Sequence, residues 1–585
     1  MRRLSAPLVL AWSLAAFGGC GTAGSSATKG AAPVAPKAPA AKGPPCCMRS
    51  GMLAGQAGAA AVQWQHQWAR GAVIYQLFVR SFFDADGDGH GDFKGATAKL
   101  DYLNDGDPQT STDLGVEGIW VMPFHPSPSY HGYDVTNYEA INPQYGTMAD
   151  FEQFVSQAHK RGLRVIMDFV INHTSAKHPW FLDSASGPKA RYRDWYVWSP
   201  TPRDWVQPWE GGKDPVWHAR NGAFFYAAFW GEMPDLNHMN PEVRARMKEL
   251  AKFWLSRGVD GLRVDGSRYL IEMGSNKDNG GQRDTPETHA YWREFSAYVR
   301  SIKPDAVIVG ENWVPLKRSD TAILASYYGS TKTITGGDEL SMNFNFPLSG
   351  RIIGGVKDGK AEPILDKLKD MVELYPAGVI DAPFLTNHDM SRVGTEFKGD
   401  RGRLGVAAAL LLTMPGSPFV YYGEELGLQD GVTDHEDRHK RTPMPWTGGP
   451  TGGFTTGTPW YGFSPQHDRL NVARQARDRR SLLNWYKTLI AARKASRALR
   501  EGALVLLAAQ PDQPTVVAYL RQLDDERVLV VHNVGSQPVK GFIPSLEAEQ
   551  LVAILASGSV RKAKRTPSGW KLDLPPLSSA AWRLL

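Results

Sequence analysis

The sequence predicts an α/β protein: a (β/α)8 TIM barrel with a subdomain inserted after the third strand and a carboxyl-terminal antiparallel β-sandwich. Three observations lead to this prediction. Eight short apolar runs alternate with segments of helical periodicity, which is typical of a parallel sheet covered by helices. One connection is too long for a barrel loop. Three carboxylates, Asp265, Glu311 and Asp389, stand at the ends of such runs, where a barrel gathers its strand ends around one pocket.

The strand candidates follow one another along the middle of the chain. They are short and mostly apolar, as strands buried on both faces are. Amphipathic helical patterns stand between several of them, at 148–162, 241–258 and 288–304. The eight runs are AVIYQLFV, GVEGIWVMPF, LRVIMDFV, DGLRVDG, AVIVGENW, SMNFNFP, VIDAPFLTNHD and SPFVYYGEELG.

The predicted barrel is interrupted once and followed by a second domain. Residues 174–240, rich in Trp, Pro, Gly and Asp, form the long connection and are predicted to be the inserted subdomain. The barrel therefore comprises 69–173 and 241–498, with a helical segment at 481–496 packed on it last. Short alternating apolar runs over 499–585 predict the antiparallel sandwich.

The amino-terminal segment predicts export. Arg2 and Arg3 precede an apolar stretch that is too short to span a bilayer and fits a signal peptide. The stretch ends in FGGC, which resembles a bacterial lipoprotein processing site, so residues 1–20 predict a lipid anchor at Cys20 on the cell envelope. An ordinary cleavable signal, with secretion, is the alternative. Residues 21–68, rich in Ala, Pro and Gly, predict a flexible linker.

Composition narrows the class of protein. Hydrophobic residues make up 42% of the 585 residues and charged residues 22%, which indicates a globular chain. A net charge of +6 is mild, and the basic clusters at 477–480 and 561–565 are typical of a solvated face, so we expect no nucleic-acid partner. We also expect a monomer. The cysteines, Cys20, Cys46 and Cys47, precede the globular part, so we expect no disulfide in the core.

Five short motifs combine carboxylates, histidines and an arginine. Four of them stand at the ends of predicted strands, and the fifth lies in the long insertion. The motifs are DFVINH at 168–173, MPDLN at 233–237, GLRVD at 261–265, GENW at 310–313 and FLTNHD at 384–389.

In content and order these motifs resemble those of the α-amylase family, glycoside hydrolase family 13. The resemblance covers the chain from about residue 71 to its end. MPDLN, together with RTPMPW at 441–446, is similar to members intermediate between oligo-1,6-glucosidases and neopullulanases. The resemblance implies a catalytic (β/α)8 barrel that acts on α-glucans.

The resemblance also assigns the catalytic roles. It implies that Asp265 is the nucleophile, that Glu311 is the general acid/base and that Asp389 binds sugar hydroxyls and stabilises the transition state. Cleavage with retention needs such a carboxyl pair about 5 to 5.5 Å apart, one ionised and one protonated. Arg263 shares a strand face with Asp265, so its charge favours an ionised nucleophile, and Asp168 is expected to orient Arg263. A salt bridge or helix cap is the alternative for each carboxylate.

Substrate binding is assigned in the same way. His173 and His388 are expected to bind hydroxyls of the sugar that is cleaved, with a packed structural role as the alternative. Tyr133 is expected to stack on that sugar, and Asp134 to contact an outer hydroxyl or else to hold a turn. The complete predicted set is Tyr133, Asp134, His173, Arg263, His388 and Arg441.

The segment DADGDGHGD predicts a structural calcium site. Its acidic residues stand at the first, third, fifth and ninth positions and a glycine at the sixth, which is the oxygen-ligand spacing of calcium loops. It is no EF-hand, because Gly95 stands where a glutamate is needed and the loop follows a strand. It resembles the calcium loop after the first strand of several family members; a solvated acidic turn is the alternative. The implied ligands are the side chains of Asp84, Asp86, Asp88 and Asp92 and the carbonyl of His90.

Two positions depart from the family's pattern. Many α-amylases carry Lys-His three and four residues after the nucleophile, where the histidine carbonyl helps to bind a second calcium. Here these positions are Arg268 and Tyr269, so a second calcium near Asn172 stays an open question.

The resulting functional prediction is a retaining hydrolase that cleaves α-1,4 bonds in starch or maltooligosaccharides through a covalent glycosyl-enzyme. A 4-α-glucanotransferase, an α-glucosidase or a trehalose synthase shares that intermediate and differs in what resolves it. A non-catalytic glycan-binding protein on the same fold is the remote alternative, and the presence of all three carboxylates counts against it.

Overall fold

Eight parallel strands form the central sheet of the chain. The structure, a computed structural model, describes residues 62–275, 281–433, 436–507, 513–544, 546–557, 560 and 563–585. The predicted signal peptide, the linker up to residue 61 and all three cysteines lie outside these residues.

The sheet closes into the predicted barrel. Seven neighbouring pairs run parallel, and a bridge between Phe384 and Phe419 joins the two ends of the sheet. Each strand lies within one of the eight predicted apolar runs, so the predicted (β/α)8 fold is confirmed. In chain order the strands are Ile74–Leu77, Gly118–Val121, Arg164–Phe169, Gly261–Val264, Val307–Gly310, Met342–Phe344, Ile380–Ala382 and Phe419–Tyr421.

Helices cover the outside of the barrel. Capping residues stabilise the amino-terminal ends of several of these helices. Thr147 forms a capping box, and Asn240 and Thr285 cap helices whose first residue is a proline. No helix in the described part of the chain has the length and apolarity that a bilayer crossing needs. The longer helices are Met148–Lys160, Pro241–Leu255, Pro286–Ile302, Arg318–Ser326, Phe346–Asp358, Glu362–Leu374, Arg401–Thr413 and Leu482–Ala495. The shorter ones are Val79–Phe82, Phe93–Ala98, Leu100–Leu103, Pro179–Ser184, Val393–Glu396, Val472–Arg477 and Arg497–Glu501.

The inside of the barrel changes from apolar to polar toward the carboxyl ends of its strands. Residues two apart on a strand share a face. In the first strand Ile74 belongs to the interior cluster and Gln76 follows it, and in the third strand Ile166 is followed by Asp168. Apolar layers fill the barrel, and a polar layer lies above them at the carboxyl ends of the strands.

The insertion after the third strand contains a three-stranded antiparallel sheet. Its strands are Trp198–Ser199, Trp217–Arg220 and Ala223–Tyr226. A bridge between His173 and Asp235 joins the end of the insertion to the segment that follows the third barrel strand. The insertion therefore stands at the carboxyl-terminal face of the barrel.

Two antiparallel sheets follow the barrel, as predicted. They share one apolar core, to which Leu529 and Trp582 of one sheet and Ile543 and Leu572 of the other contribute. The larger sheet contains Ala503–Leu506, Val516–Leu523, Glu526–Asn533, Ser578–Leu584 and Leu551–Ala556, and the smaller contains Val539–Pro544, Gly569–Leu574 and Lys564–Thr566.

Candidate active site

The two carboxylates with predicted roles in bond cleavage lie side by side at the mouth of the barrel. Asp265 directly follows the fourth strand and Glu311 the fifth, and these two strands are paired. Both contact one guanidinium: Arg263 Nη1 lies 2.6 Å from Asp265 Oδ1, and Arg263 Nη2 lies 3.0 Å from Glu311 Oε2. Carboxyl groups that share one guanidinium are close enough to flank a single glycosidic bond.

Arg263 is the buried centre of this arrangement. Its side chain is fully shielded from solvent, and its Nη1 also donates to Asp168 Oδ1 at 2.9 Å. Asp168 in turn accepts from Trp120 Nε1 at 3.2 Å and from the Tyr133 hydroxyl at 3.0 Å. A buried cation is costly unless it is paired and hydrogen-bonded, so these contacts hold the guanidinium in one position.

Glu311 is arranged to carry a proton. Burial raises the pKa of its carboxyl well above the usual value; the charge of Arg263 opposes this shift and that of Asp265 adds to it. Glu311 Oε2 forms an ion pair with Arg263 Nη2 at 3.0 Å and accepts a hydrogen bond from the backbone N–H of Gly266, also at 3.0 Å. Because Oε2 already faces two donors, the proton belongs on Oε1. A protonated carboxyl beside an ionised one is the pairing that acid-assisted glycoside cleavage uses.

A tyrosine and a histidine form one wall of the pocket. The rings of Tyr133 and His388 stack at 5.4 Å with 7° between their planes, and the hydroxyl lies 2.6 Å from Nε2. The amide of Gln76 donates to His388 Nδ1 at 2.9 Å, which assigns the ring proton to Nε2. Burial, with Arg441 and Arg263 nearby, holds the pKa of His388 well below its usual range, so the ring is neutral.

Asp389 is the most accessible of the three carboxylates. Its side chain is 34% exposed, whereas those of Asp265 and Glu311 are 12% exposed. Arg441 Nη2 lies 3.0 Å from Asp389 Oδ1, and His388 Nε2 lies 3.1 Å from Oδ2. These contacts fix a carboxylate that solvent still reaches, which is the kind of group that binds sugar hydroxyls.

The remaining predicted substrate-binding residues are buried around the same pocket. The ring of His173 packs against Phe229 at 5.4 Å between centroids. Asp134 accepts hydrogen bonds from the hydroxyls of Ser127 and Ser129. Asp134 is therefore hydrogen-bonded within its own loop, and its contact with a sugar hydroxyl stays a prediction.

Three supporting residues were not among the predicted site residues. Trp120 holds the carboxylate that orients the arginine, Gln76 fixes the proton of His388, and Lys440 Nζ donates to the carbonyl of Asp389 at 2.9 Å. Of these three residues, only Gln76 could have been predicted from the sequence, because an amide within an otherwise apolar strand needs a buried hydrogen-bond partner. The other two contacts depend on how distant segments meet in the fold.

Three of the predicted calcium ligands converge in the loop after the first strand. Oxygen atoms of Asp84, Asp86 and Asp88 all lie within 4.8 Å of one another. Asp84 also accepts from the backbone N–H of Gly89 at 2.8 Å, so the loop is folded around this carboxylate. Carboxylate oxygens are the ligands that hard divalent cations prefer, and the cluster fits such an ion.

Asp92 and His90 are placed differently. Asp92 Oδ1 accepts from the backbone N–H of Gly95 at 2.7 Å and caps the helix that begins at Phe93. Its Oδ2 accepts from Ala85 N at 2.8 Å. His90 lies in the loop with its backbone N–H donating to Asp88 Oδ1 at 2.7 Å. Asp92 therefore caps this helix and is not one of the three converging carboxylates; calcium binding by Asp92 and by the His90 carbonyl stays a prediction.

The chain is similar to known proteins over most of its length. The family described as alpha amylase, catalytic domain, matches residues 76–502, and the one described as alpha-amylase SusG C-terminal domain matches residues 516–580. Alpha-amylase 3 of Dictyoglomus thermophilum is 37% identical over 479 residues, which are 81% of this chain and 86% of that protein.

Two further comparisons agree with these matches. "Probable oligo-1,6-glucosidase 2" of Bacillus subtilis is 33% identical over 534 residues, which are 80% of this chain and 91% of that protein. The crystal structure of an alpha-amylase from H. orenii aligns with a TM-score of 0.77 at 35% identity and covers 88% of this chain and 100% of that one.

The fold and the site define a class of enzymes, the glycoside hydrolases with paired carboxylates at the mouth of a (β/α)8 barrel. The matched catalytic domain covers most of the chain, and the two relatives are more than 30% identical over at least 80% of it. The chain belongs to the α-amylase family, glycoside hydrolase family 13. The similarity to an oligo-1,6-glucosidase accords with the intermediate character that the motifs indicate.

Proposed function

We propose that this enzyme is a retaining hydrolase that cleaves α-1,4-glucosidic bonds in starch or maltooligosaccharides. The observation that carries the proposal is the contact of both Asp265 and Glu311 with the guanidinium of Arg263, at 2.6 and 3.0 Å. This shared contact supports the presence of two carboxyl groups at one glycosidic bond, which retention requires.

In the first step the carboxylate of Asp265 attacks the anomeric carbon. A bond forms between Asp265 and that carbon, and the bond from the carbon to the glycosidic oxygen breaks. The proton on Glu311 Oε1 passes to the departing oxygen, so the second sugar leaves as an alcohol and Glu311 becomes a carboxylate. Arg263 Nη1, 2.6 Å from Asp265 Oδ1 before the attack, holds the nucleophile in position.

In the second step water resolves the glycosyl-enzyme. Glu311, now ionised, removes a proton from a water molecule as its oxygen attacks the anomeric carbon. The bond to Asp265 breaks, the free sugar leaves with its original anomeric configuration, and both carboxyl groups return to their starting states. Asp389 stabilises the positive charge that develops on the sugar ring in both steps.

The pocket wall supports an α-glucan as substrate. The ring of Tyr133, stacked on neutral His388, offers an aromatic face, and the carboxylate of Asp389, whose side chain is 34% exposed, offers an acceptor to sugar hydroxyls. The α-amylase named among the relatives adds to this support.

The test is a product profile. The enzyme incubated with maltotriose, starch, pullulan and cyclodextrin is expected to release shorter α-1,4 oligosaccharides from starch, resolved by chromatography. Longer oligomers from maltotriose would instead indicate a 4-α-glucanotransferase, trehalose an isomerase, and glucose alone an α-glucosidase. The absence of any product would contradict the proposal.

We also propose that Asp84, Asp86 and Asp88 hold a structural Ca²⁺. A cation that binds only the folded chain raises its melting temperature, and we expect about 2 to 5 °C between millimolar CaCl₂ and EDTA, measured by calorimetry. The double variant Asp86→Asn/Asp88→Asn should lose this response. Asp107→Asn, in a similar DGD segment nearby, should retain it. A melting temperature indifferent to calcium in the parent protein would refute the site.

We further propose that the protein is exported and carries a lipid anchor at Cys20. The basic and apolar start of the chain and its FGGC segment support it. A Cys20→Ser variant expressed in a bacterium should leave the membrane fraction, and equal membrane retention of both proteins would contradict the anchor.

A further inference from the structure

Arg268, three residues after the nucleophile, is buried and committed to a carboxylate. Its side chain is 4% exposed. Arg268 Nε donates to Asp284 Oδ1 at 2.8 Å, and its Nη2 donates to Asp284 Oδ2, so the pair is bidentate. A side chain held in this way does not reach into the pocket to bind a sugar. The arginine that departs from the family's Lys-His pattern at this position therefore acts on the protein itself and not on the sugar.

The remaining terminal nitrogen of Arg268 connects two loops. Its Nη1 donates to the carbonyl of Trp313, two residues after Glu311. Asp284 is itself fixed, because the hydroxyl of Tyr327 donates to its Oδ1 at 2.8 Å and its backbone N–H donates to the Arg268 carbonyl at 3.0 Å. The guanidinium thus connects the loop that follows Asp265 (the nucleophile loop) to the loop that follows Glu311 (the acid loop) and holds the two in a fixed relative position.

This contact is the last of three that join the loop after the fourth strand, residue by residue, to the loop after the fifth strand. The backbone ladder of the fourth and fifth strands ends with Val264 opposite Gly310. Beyond it, three successive residues of one loop meet three successive residues of the other. The pairs are Gly266 N with Glu311 Oε2 at 3.0 Å, Ser267 Oγ with Asn312 Oδ1 at 2.8 Å, and Arg268 Nη1 with the Trp313 carbonyl.

We propose that Arg268, held by Asp284, is a positioning residue that fixes the general acid against the nucleophile. The hydrogen bonds of the Arg268 side chain go to Asp284 and to the Trp313 carbonyl, so it acts by holding the Glu311–Trp313 segment in register with the loop that follows Asp265. The inference rests on the proposed function, since it assumes that Glu311 supplies the proton. It adds a determinant of catalysis to the loop in which this chain departs from its family's pattern.

A misplaced acid has a recognisable kinetic signature. Displacement by about 1 Å can cost about 10²-fold in rate when a group must transfer a proton. The loss appears only with substrates whose leaving group needs that proton. A sugar that leaves through its glycosidic oxygen needs the proton, whereas fluoride departs without it. The rate on α-maltotriosyl fluoride therefore reports on the nucleophile and on binding alone.

The experiment compares kcat/KM for maltohexaose and for α-maltotriosyl fluoride in the full chain. Arg268→Lys cannot form the bidentate pair and the third contact together. We expect it to lower kcat/KM on maltohexaose by about 10- to 100-fold and on the fluoride by about twofold at most. Asp284→Asn, which keeps the arginine but weakens its hold, should show the same pattern with a smaller loss.

Two control variants separate the possible outcomes. Arg293→Lys alters another arginine–carboxylate pair, with Glu339 at 2.7 Å, that does not contact the acid loop, and it should spare both substrates. Glu311→Gln should show the selective loss in its fullest form. Equal losses of Arg268→Lys on both substrates, or none on either, would overturn the inference. Failure of Glu311→Gln to discriminate would instead overturn the proposed function.

If Arg268→Lys does not fold, as judged by circular dichroism, Ser267→Ala takes its place. This change removes the middle contact, with Asn312, and leaves the arginine pair intact. Selective loss on maltohexaose would support the register of the two loops, and unchanged values on both substrates would contradict it.

Discussion

Replacing Asp265 with alanine is expected to abolish hydrolysis, lowering kcat/KM on maltooligosaccharides by about 10⁴-fold or more. The variant has no group to form the glycosyl-enzyme, although Arg263 and Glu311 remain. Azide added to this variant with α-maltotriosyl fluoride should occupy the vacated face and displace fluoride directly. The product is then the β-glycosyl azide, which NMR identifies by its anomeric coupling.

The matched control for this prediction is Asp101→Ala. Asp101 also forms an ion pair with an arginine, Arg161 at 2.7 Å, but its side chain is 67% exposed and lies outside the pocket. This variant should retain parent activity. Residual hydrolysis by Asp265→Ala at the parent rate, or labelling of a residue other than Asp265 by a mechanism-based inhibitor of the parent enzyme, would remove Asp265 from its role.

The sequence was informative about the site wherever chemistry and secondary structure coincide. Asp265 and Glu311 end apolar runs, and a parallel barrel needs no further information to bring such strand ends together. The predicted pairing of Arg263 with Asp265 followed from the two-residue repeat of a strand. Both features depend on local pattern, which a single sequence contains.

Contacts made by loops were not predictable in the same way. Arg268 meets Asp284 across a loop whose path no periodicity describes, and its contact with Trp313 depends on where the two strands stop pairing. Asp92 shows a related limit. Asp92 caps the helix that begins at Phe93, a role that ligand spacing does not reveal, and its predicted role as a calcium ligand stays a prediction.

Replacing Glu311 is expected to separate the two steps of the reaction. Glu311→Gln should lower kcat/KM on maltohexaose by about 10²- to 10⁴-fold, the usual contribution of general acid catalysis, and spare α-maltotriosyl fluoride. In Glu311→Ala the nucleophile Asp265 still forms its intermediate, so azide attacks from the opposite face. The product should be the α-glycosyl azide, the reverse of the outcome for Asp265→Ala. The β-azide from both variants would show that the two roles are wrongly assigned.

The pH profile gives an independent measure of the same group. Glu311 acts only when protonated, and burial raises the pKa of its carboxyl well above the ordinary 4.5. The alkaline limb of the parent kcat/KM profile on maltohexaose should therefore reflect the loss of this proton, with kcat/KM falling as pH rises through that elevated pKa. Glu311→Gln cannot lose a proton there, so its profile on the fluoride should lack the alkaline fall. Because fluoride leaves without an acid, the parent enzyme on fluoride should also lack it, which ties the alkaline limb to proton donation rather than to unfolding. A limb shared by all three measurements would assign it to another group.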